Sequence, residues 1–193
     1  ININKFIPKK VKNNFFNVGT IKSIESYNGI DCLINAADII INKMNYSNIK
    51  FIIVGKGSLL DEMKEKSRKL KLEKNIIFKG HIIHEKTIDY FQKLSVFIAV
   101  STRESFGVSI LEAGACGIPS ITSNVGGLPE VNKDQLTGFI IPPNNPEILA
   151  NKIINLYENE ALRKKMGNKA RVRVVNQFNW SNNINKMLNI YKN

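Results

Sequence analysis

Long hydrophobic runs are missing from this chain: no apolar stretch approaches the roughly 18 residues that a membrane-crossing helix needs. Cysteine is scarce. Cys32 and Cys116 are the only 2, which excludes a disulfide framework and leaves two small apolar side chains, expected to be buried in a reducing compartment. Histidine is as sparse. His81 and His84 are the only 2; with no third nitrogen or sulfur ligand near them they argue against a zinc site and read as surface histidines. No carboxylate cluster suited to magnesium and no Ser-His-Asp or Cys-His arrangement stands out, so no metal and no cofactor is expected. The chain opens on Ile1-Asn2-Ile3-Asn4-Lys5, polar and basic, without the pattern of a signal peptide and without Met. The expectation is a cytoplasmic location and a piece of a longer protein.

Acidic residues are the other shortage. Against 28 Lys and Arg stand 16 Asp and Glu, a net charge of +12. Such an excess suits an anionic partner: a nucleoside diphosphate, an anionic membrane surface or nucleic acid. The charge is spread over Lys5 to Lys12, Lys64 to Lys74 and Arg163 to Arg173, the pattern of solvated helix faces. No basic stripe is interleaved with aromatics and no nucleic-acid motif occurs, so a nucleic-acid partner would rest on charge alone and is not expected. Peripheral contact with the inner face of the cell membrane stays open.

What is present is an alternation. Strand-like segments at Phe15–Thr20, Ile49–Val54, Asn75–Phe78, Val96–Val100, Pro119–Thr122 and Phe139–Ile141 are separated by helix-like ones. Ile30, Leu33, Ile34 and Ala37 recur at helical spacing. Asp61 and Glu62 favour the first turn of a helix from Ser58, and Asn145-Pro146 is a cap followed by Pro at the first helical position. Two more helices, near Glu160–Gln177 and Ser181–Tyr191, have no strand between them and are expected to pack on the outside. The pattern predicts one α/β domain over 1–193, a doubly wound, Rossmann-like parallel sheet of about six strands with helices on both faces and extra C-terminal helices. In such sheets ligands bind beyond the carboxyl ends of the strands. There the loops Gly19–Gly29, Gly55–Ser58, Gly80–His84 and Ser101–Gly107 should converge.

The last of these loops is the most informative. The apolar run Val96–Val100 leads into Ser101-Thr-Arg-Glu104-Ser105-Phe106-Gly107, and a helix follows to the stop signal Gly117-Ile118-Pro119. Glu104 lies on the loop and Glu112 inside the helix. The unpaired N–H groups at the helix start near Gly107 can face an anion. A rise of about 1.5 Å per residue puts Glu112 roughly 7 Å further along the axis, about the distance from a diphosphate to its ribose. One carboxylate could hold a ribose diol, the helix start a phosphate, and the other carboxylate a sugar. Gly55-Lys56-Gly57 invites a dinucleotide reading, but that fingerprint needs glycine where Leu60 stands. Glu130 reads as a helix cap, and Trp180 before Ser181 as a hydrophobic staple beside an N-cap.

Glu104-Ser-Phe-Gly, Glu112-Ala-Gly-Ala-Cys-Gly-Ile-Pro119 and Gly126-Gly-Leu-Pro-Glu130 resemble the donor-binding domain of retaining glycosyltransferases of family 4, with the GT-B architecture. The resemblance extends over nearly the whole chain, from Ile3-Asn-Lys-Phe-Ile-Pro8 through Val18-Gly19, Val54-Gly-Lys-Gly57, Phe78-Lys-Gly80 and Gly138-Phe139 to Phe178-Asn-Trp180. It implies a nucleotide-sugar-binding half of a two-domain enzyme whose N-terminal acceptor domain is absent here. The donor would be a UDP-, GDP- or ADP-sugar and the acceptor a hydroxyl. It assigns Glu112 to the ribose, Glu104 to the donor sugar, and the backbone of Ser105, Phe106, Gly107 and Val108 to sugar and phosphates. Gly19 and Thr20 would lie against the diphosphate, Gly55 and Lys56 beside it, and Gly80 and His81 at the nucleobase. The commoner family pattern has Arg directly after the first glycine and Lys just before the second. This chain has Thr20 and Asn28, which leaves Lys22 as the nearest cation for the leaving diphosphate. The same architecture serves nucleotide-sugar epimerases, and a non-catalytic nucleotide-binding module is the other alternative; the Glu104 to Glu112 segment favours a transferase.

Overall fold

The structure is a computed structural model that describes residues 1–9 and 14–191. Six parallel strands form one sheet: β1 (Phe16–Ile21), β2 (Ile49–Val54), β3 (Ile76–Gly80), β4 (Val96–Ala99), β5 (Ser120–Ser123) and β6 (Gly138–Ile141). Their order is β3-β2-β1-β4-β5-β6, so the direction of winding reverses between β1 and β4. The β1–β2 ladder runs the full length of β1, from Phe16↔Ile49 to Ile21↔Val54. The β1–β4 ladder holds only Val18↔Val96 and Gly19↔Phe97. Beyond Gly19 the two strands separate, and this opens the crevice that a doubly wound sheet offers to a ligand.

The central strands β2 and β4 are almost wholly apolar because both faces of the sheet are covered. Phe51 and Ile53 pack with Val18, Ile98 and Ile121 under one helical layer, formed by α1 (Ile30–Asp38), α2 (Leu60–Lys69) and α6 (Pro146–Glu158). The alternate residues Ile52 and Val54 pack with Phe97 and Ala99 under the other, formed by α3 (Thr87–Phe91), α4 (Val108–Ala115), α5 (Leu128–Val131) and part of α7 (Glu160–Gln177). Local chemistry sets the ends. Asn145 and Asn159 each accept an N–H bond, from Ile148 and Leu162 at 2.9 Å, and so cap α6 and α7. The cysteines are free and buried. No described helix is long and apolar enough to cross a membrane.

Three sequence expectations change. The helix α7 is not an outer appendage. Its Gly167 lies so close to the turn before β5 that a Cβ there would meet the Gly117 carbonyl oxygen at 2.1 Å. From the same helix Arg171 donates to the carbonyls of Ala115 and Phe6, each at 2.7 Å, and ties the end of α4 to the first residues of the chain. Trp180 is not a buried staple: it is 64% exposed and begins α8 (Trp180–Tyr191), while Asn179 accepts the N–H of Ser181 at 3.2 Å. Glu130 is not a cap either. Its side chain is exposed in the first turn of α5, and Gly127 precedes that helix without a side-chain bond.

Candidate functional site

Lys22 follows the last residue of β1 and stands where β1 and β4 separate. Its ammonium donates to Ser101 Oγ at 2.7 Å and pairs with the carboxylate of Glu104. Ser101 is fully buried, and Ser123 Oγ holds its carbonyl at 2.5 Å. The loops after β1 and β4 are also joined by their backbones. Thr102 N–H donates to the Tyr27 carbonyl at 2.8 Å. Gly29, at φ +72°, lies where a Cβ would meet the Val100 carbonyl oxygen at 2.1 Å, so only glycine fits before α1. The paired glycines of the Gly126-Gly127 turn support Glu104 from behind: a Cβ at Gly126 would meet the Glu104 carbonyl oxygen at 1.7 Å. Around these groups lies a cleft of about 590 Å³ lined by Lys22, Ser23, Tyr27, Asn28, Arg103, Glu104 and Ser105.

Lys22 also borders a second cleft, of about 330 Å³, with Gly55, Lys56, His81 and Thr87 on its walls. Backbone close approach builds this one. Gly55 adopts φ +147° against the Lys22 carbonyl, and its N–H donates to the Gly80 carbonyl at 2.8 Å. The Glu25 carboxylate accepts from Ser58 Oγ at 2.5 Å and from Ser58 N–H at 3.0 Å. The hydroxyl bond, then the backbone bond, hold the Glu25 carboxyl below its usual range. The helix α2 begins at Leu60, two residues after Ser58.

Glu112 occupies a third cleft, of about 510 Å³, whose walls include Phe6, His84, Phe106, Val108, Leu111 and Phe178. Its side chain is 8% exposed, and Oε1 lies 2.7 Å from His84 Nε2, on a side chain that is 62% exposed. A mostly buried carboxylate thus faces an open apolar cleft with one solvent-accessible partner, which a ligand hydroxyl pair could displace. His84, read as a surface histidine, is that partner.

The structure brings Lys22 and Glu104 into contact and places Lys56 and His81 beside Lys22. Ser105 lines the first cleft and Phe106 and Val108 the third, so successive residues of one loop serve different clefts. Gly107, at φ +91°, turns that loop into α4. Gly19 and Thr20 are not brought to the surface. Gly19 lies inside β1, and Leu94 fills the space of its missing Cβ, with atoms 2.4 Å from where that carbon would be; Thr20 is 2% exposed. Both serve the core because strand β1 runs past them to Ile21. Asn28 is also structural: its amide donates to Ser23 O at 3.0 Å and Ser23 Oγ at 2.8 Å and pins the loop. Sequence reasoning missed Arg103 and Tyr27 in the first cleft and Ser101, the buried hydroxyl behind Lys22. Arg103 adjoins Glu104 and Ser101 opens the same loop, which was a usable signal; Tyr27 had none.

Comparison with known proteins identifies the family and the fold. The chain is 31% identical over 170 residues to the capsular polysaccharide biosynthesis glycosyltransferase CapM of Staphylococcus aureus, which covers 88% of this chain and 44% of the relative. A sucrose-phosphate synthase from Thermosynechococcus elongatus superposes on all of this chain and 50% of its own, with a TM-score of 0.88 and 26% identity. The C-terminal domain of the group 1 glycosyl transferase LpcC from Francisella tularensis shares the fold over 93% of this chain and 99% of its own, with a TM-score of 0.84 and 23% identity. The chain spans less than half the length of the curated relatives it matches, 41% of the glycosyltransferase MJ1607 of Methanocaldococcus jannaschii for example. The sequence profile of the family described as glycosyl transferases group 1 matches residues 2–173, and the chain belongs to that family.

Proposed function

We propose that this chain is the donor-binding domain of a retaining glycosyltransferase of family 4, which moves a sugar from a nucleoside diphosphate to a hydroxyl acceptor in bacterial polysaccharide or glycolipid synthesis. The observation that carries the reading is Lys22, held by Ser101 and Glu104 in the crevice between β1 and β4. Sugar transfer passes through an oxocarbenium-like state. The departing diphosphate gains charge as the sugar loses its bond, so a cation fixed beforehand stabilises the transition state more than the ground state. Glu104, on the same ammonium, faces the sugar. The second cleft accommodates the base against Gly80 and His81, and Glu112 accepts the ribose hydroxyls once His84 gives way. The acceptor enters from an N-terminal domain of the same protein, across the open side of the first cleft. No step needs a metal or cofactor from these residues.

A thermal-shift panel of UDP-, GDP- and ADP-sugars tests the reading and identifies the base. A ligand at 100 times its Kd adds about 2.7 kcal/mol, which for a domain of this size raises Tm by roughly 5 to 10 °C. One base family should give that shift. No shift with any of the three removes the reading.

A further inference from the structure

We infer that Arg103, stacked on Tyr27, is the second cation that binds the donor diphosphate, an inference that rests on reading the cleft as a nucleoside diphosphate sugar site. The charge of Lys22 is largely offset before any ligand arrives, because Glu104 pairs with it. Those two groups alone leave the cleft near neutral, whereas a diphosphate brings more than one negative charge. Arg103 lines the same cleft as Lys22. Among the described residues it has no carboxylate partner; its guanidinium carbon lies 5.2 Å from the centre of the Tyr27 ring. That distance and chemistry are those of a cation–π contact.

The contact is built in from both sides. Tyr27 comes from the loop after β1 and Arg103 from the loop after β4, and the bond from Thr102 N–H to the Tyr27 carbonyl at 2.8 Å fixes one loop against the other. Arg103 is therefore held in place but not neutralised. Its planar fork of N–H donors matches phosphate oxygens in pairs. Asn28 and Thr20, where cations might be sought, are committed to the loop and the core. The positive charge of the cleft thus comes from the β4 side of the crevice, next to the carboxylate that faces the sugar.

The test is calorimetry on this chain with a nucleoside diphosphate of the base found in the panel, and with the matching nucleoside. Arg103→Ala should weaken the diphosphate about 10- to 100-fold and leave the nucleoside within about twofold, the range of one or two lost charge-assisted bonds. Arg103→Lys should fall between. Tyr27→Ala, which removes the ring face under Arg103, should lose several-fold for the diphosphate alone. Lys165→Ala, which removes one exposed charge from α7, controls for net charge and should change nothing. If Arg103→Ala binds the diphosphate as wild type while Lys22→Ala does not, the functional reading stands and this inference falls. If the unaltered chain binds no nucleoside diphosphate, both fall. Circular dichroism on each variant separates lost binding from lost folding.

Discussion

Glu112 and the two cysteines show how burial acts on single residues. Glu112→Gln keeps the shape and can still meet His84, so folding should change little. A carboxylate accepts ribose hydroxyls through charge-assisted bonds, which contribute roughly 1 to 3 kcal/mol. Nucleotide affinity should therefore drop about tenfold or more in calorimetry, and an unchanged affinity would remove the ribose role. For the thiols, burial first and the nearby Asp31 carboxylate second push Cys32 up to about 11, from an ordinary value of 9.0. Burial first, with Glu112 adding, pushes Cys116 up to about 12 while Arg171 opposes. Both should resist a thiol reagent at pH 8 in the folded protein and react only in denaturant. A raised thiol value favours the folded state while both states are protonated. That contribution is complete below pH 9 and is lost as pH rises through about 11 to 12. Tm should decline over that alkaline window, less steeply in a Cys116→Ala variant.

At the scale of elements the glycines decide which loops can meet. Gly126 (φ +49°) and Gly80 (φ +68°) both adopt left-handed backbone, but a Cβ at Gly80 meets nothing within 4 Å, and one at Gly126 meets the Glu104 carbonyl at 1.7 Å. Gly80→Ala should cost only the conformational penalty, about 1 to 2 kcal/mol. Gly126→Ala adds a backbone clash that only a shift of the Glu104 loop can relieve, so its Tm should fall further and its affinity for a nucleoside diphosphate should fall as well. Equal losses of Tm in the two variants, with binding intact in both, would mean that the turn does not hold Glu104 in place.

For the whole molecule, the complete sheet with cores on both faces predicts that this chain folds alone. The three clefts on the carboxyl side of the sheet predict nucleotide binding. Transfer should nevertheless be undetectable or nearly so. The clefts are open, and the acceptor is proposed to be positioned by another domain. Positioning accounts for roughly 7 to 11 kcal/mol of a barrier. Binding and acceptor-dependent nucleotide release, measured on one preparation, check both halves of this expectation. Robust transfer by the chain alone would show that it carries an acceptor site of its own.

The alternation of apolar runs with helical spacings was enough to determine the strands, the parallel sheet and its two covered faces, because strands covered on both sides, such as β4, carry apolar side chains on both. The Asn145-Pro146 cap was equally legible, since capping depends on neighbours along the chain. The loop from Ser101 to Gly107 and its attachment to α4 could also be read locally. The strand order was not in the sequence, and with it went the position of the crevice. So did the partners across it. Lys22 meets Glu104, Glu112 meets His84 and Arg103 meets Tyr27 through contacts between segments far apart in the chain, which no local pattern encodes. Gly19 makes the same point in reverse: its place before a loop suggested a ligand, and only the packing of Leu94 against β1 showed that the core needs the space.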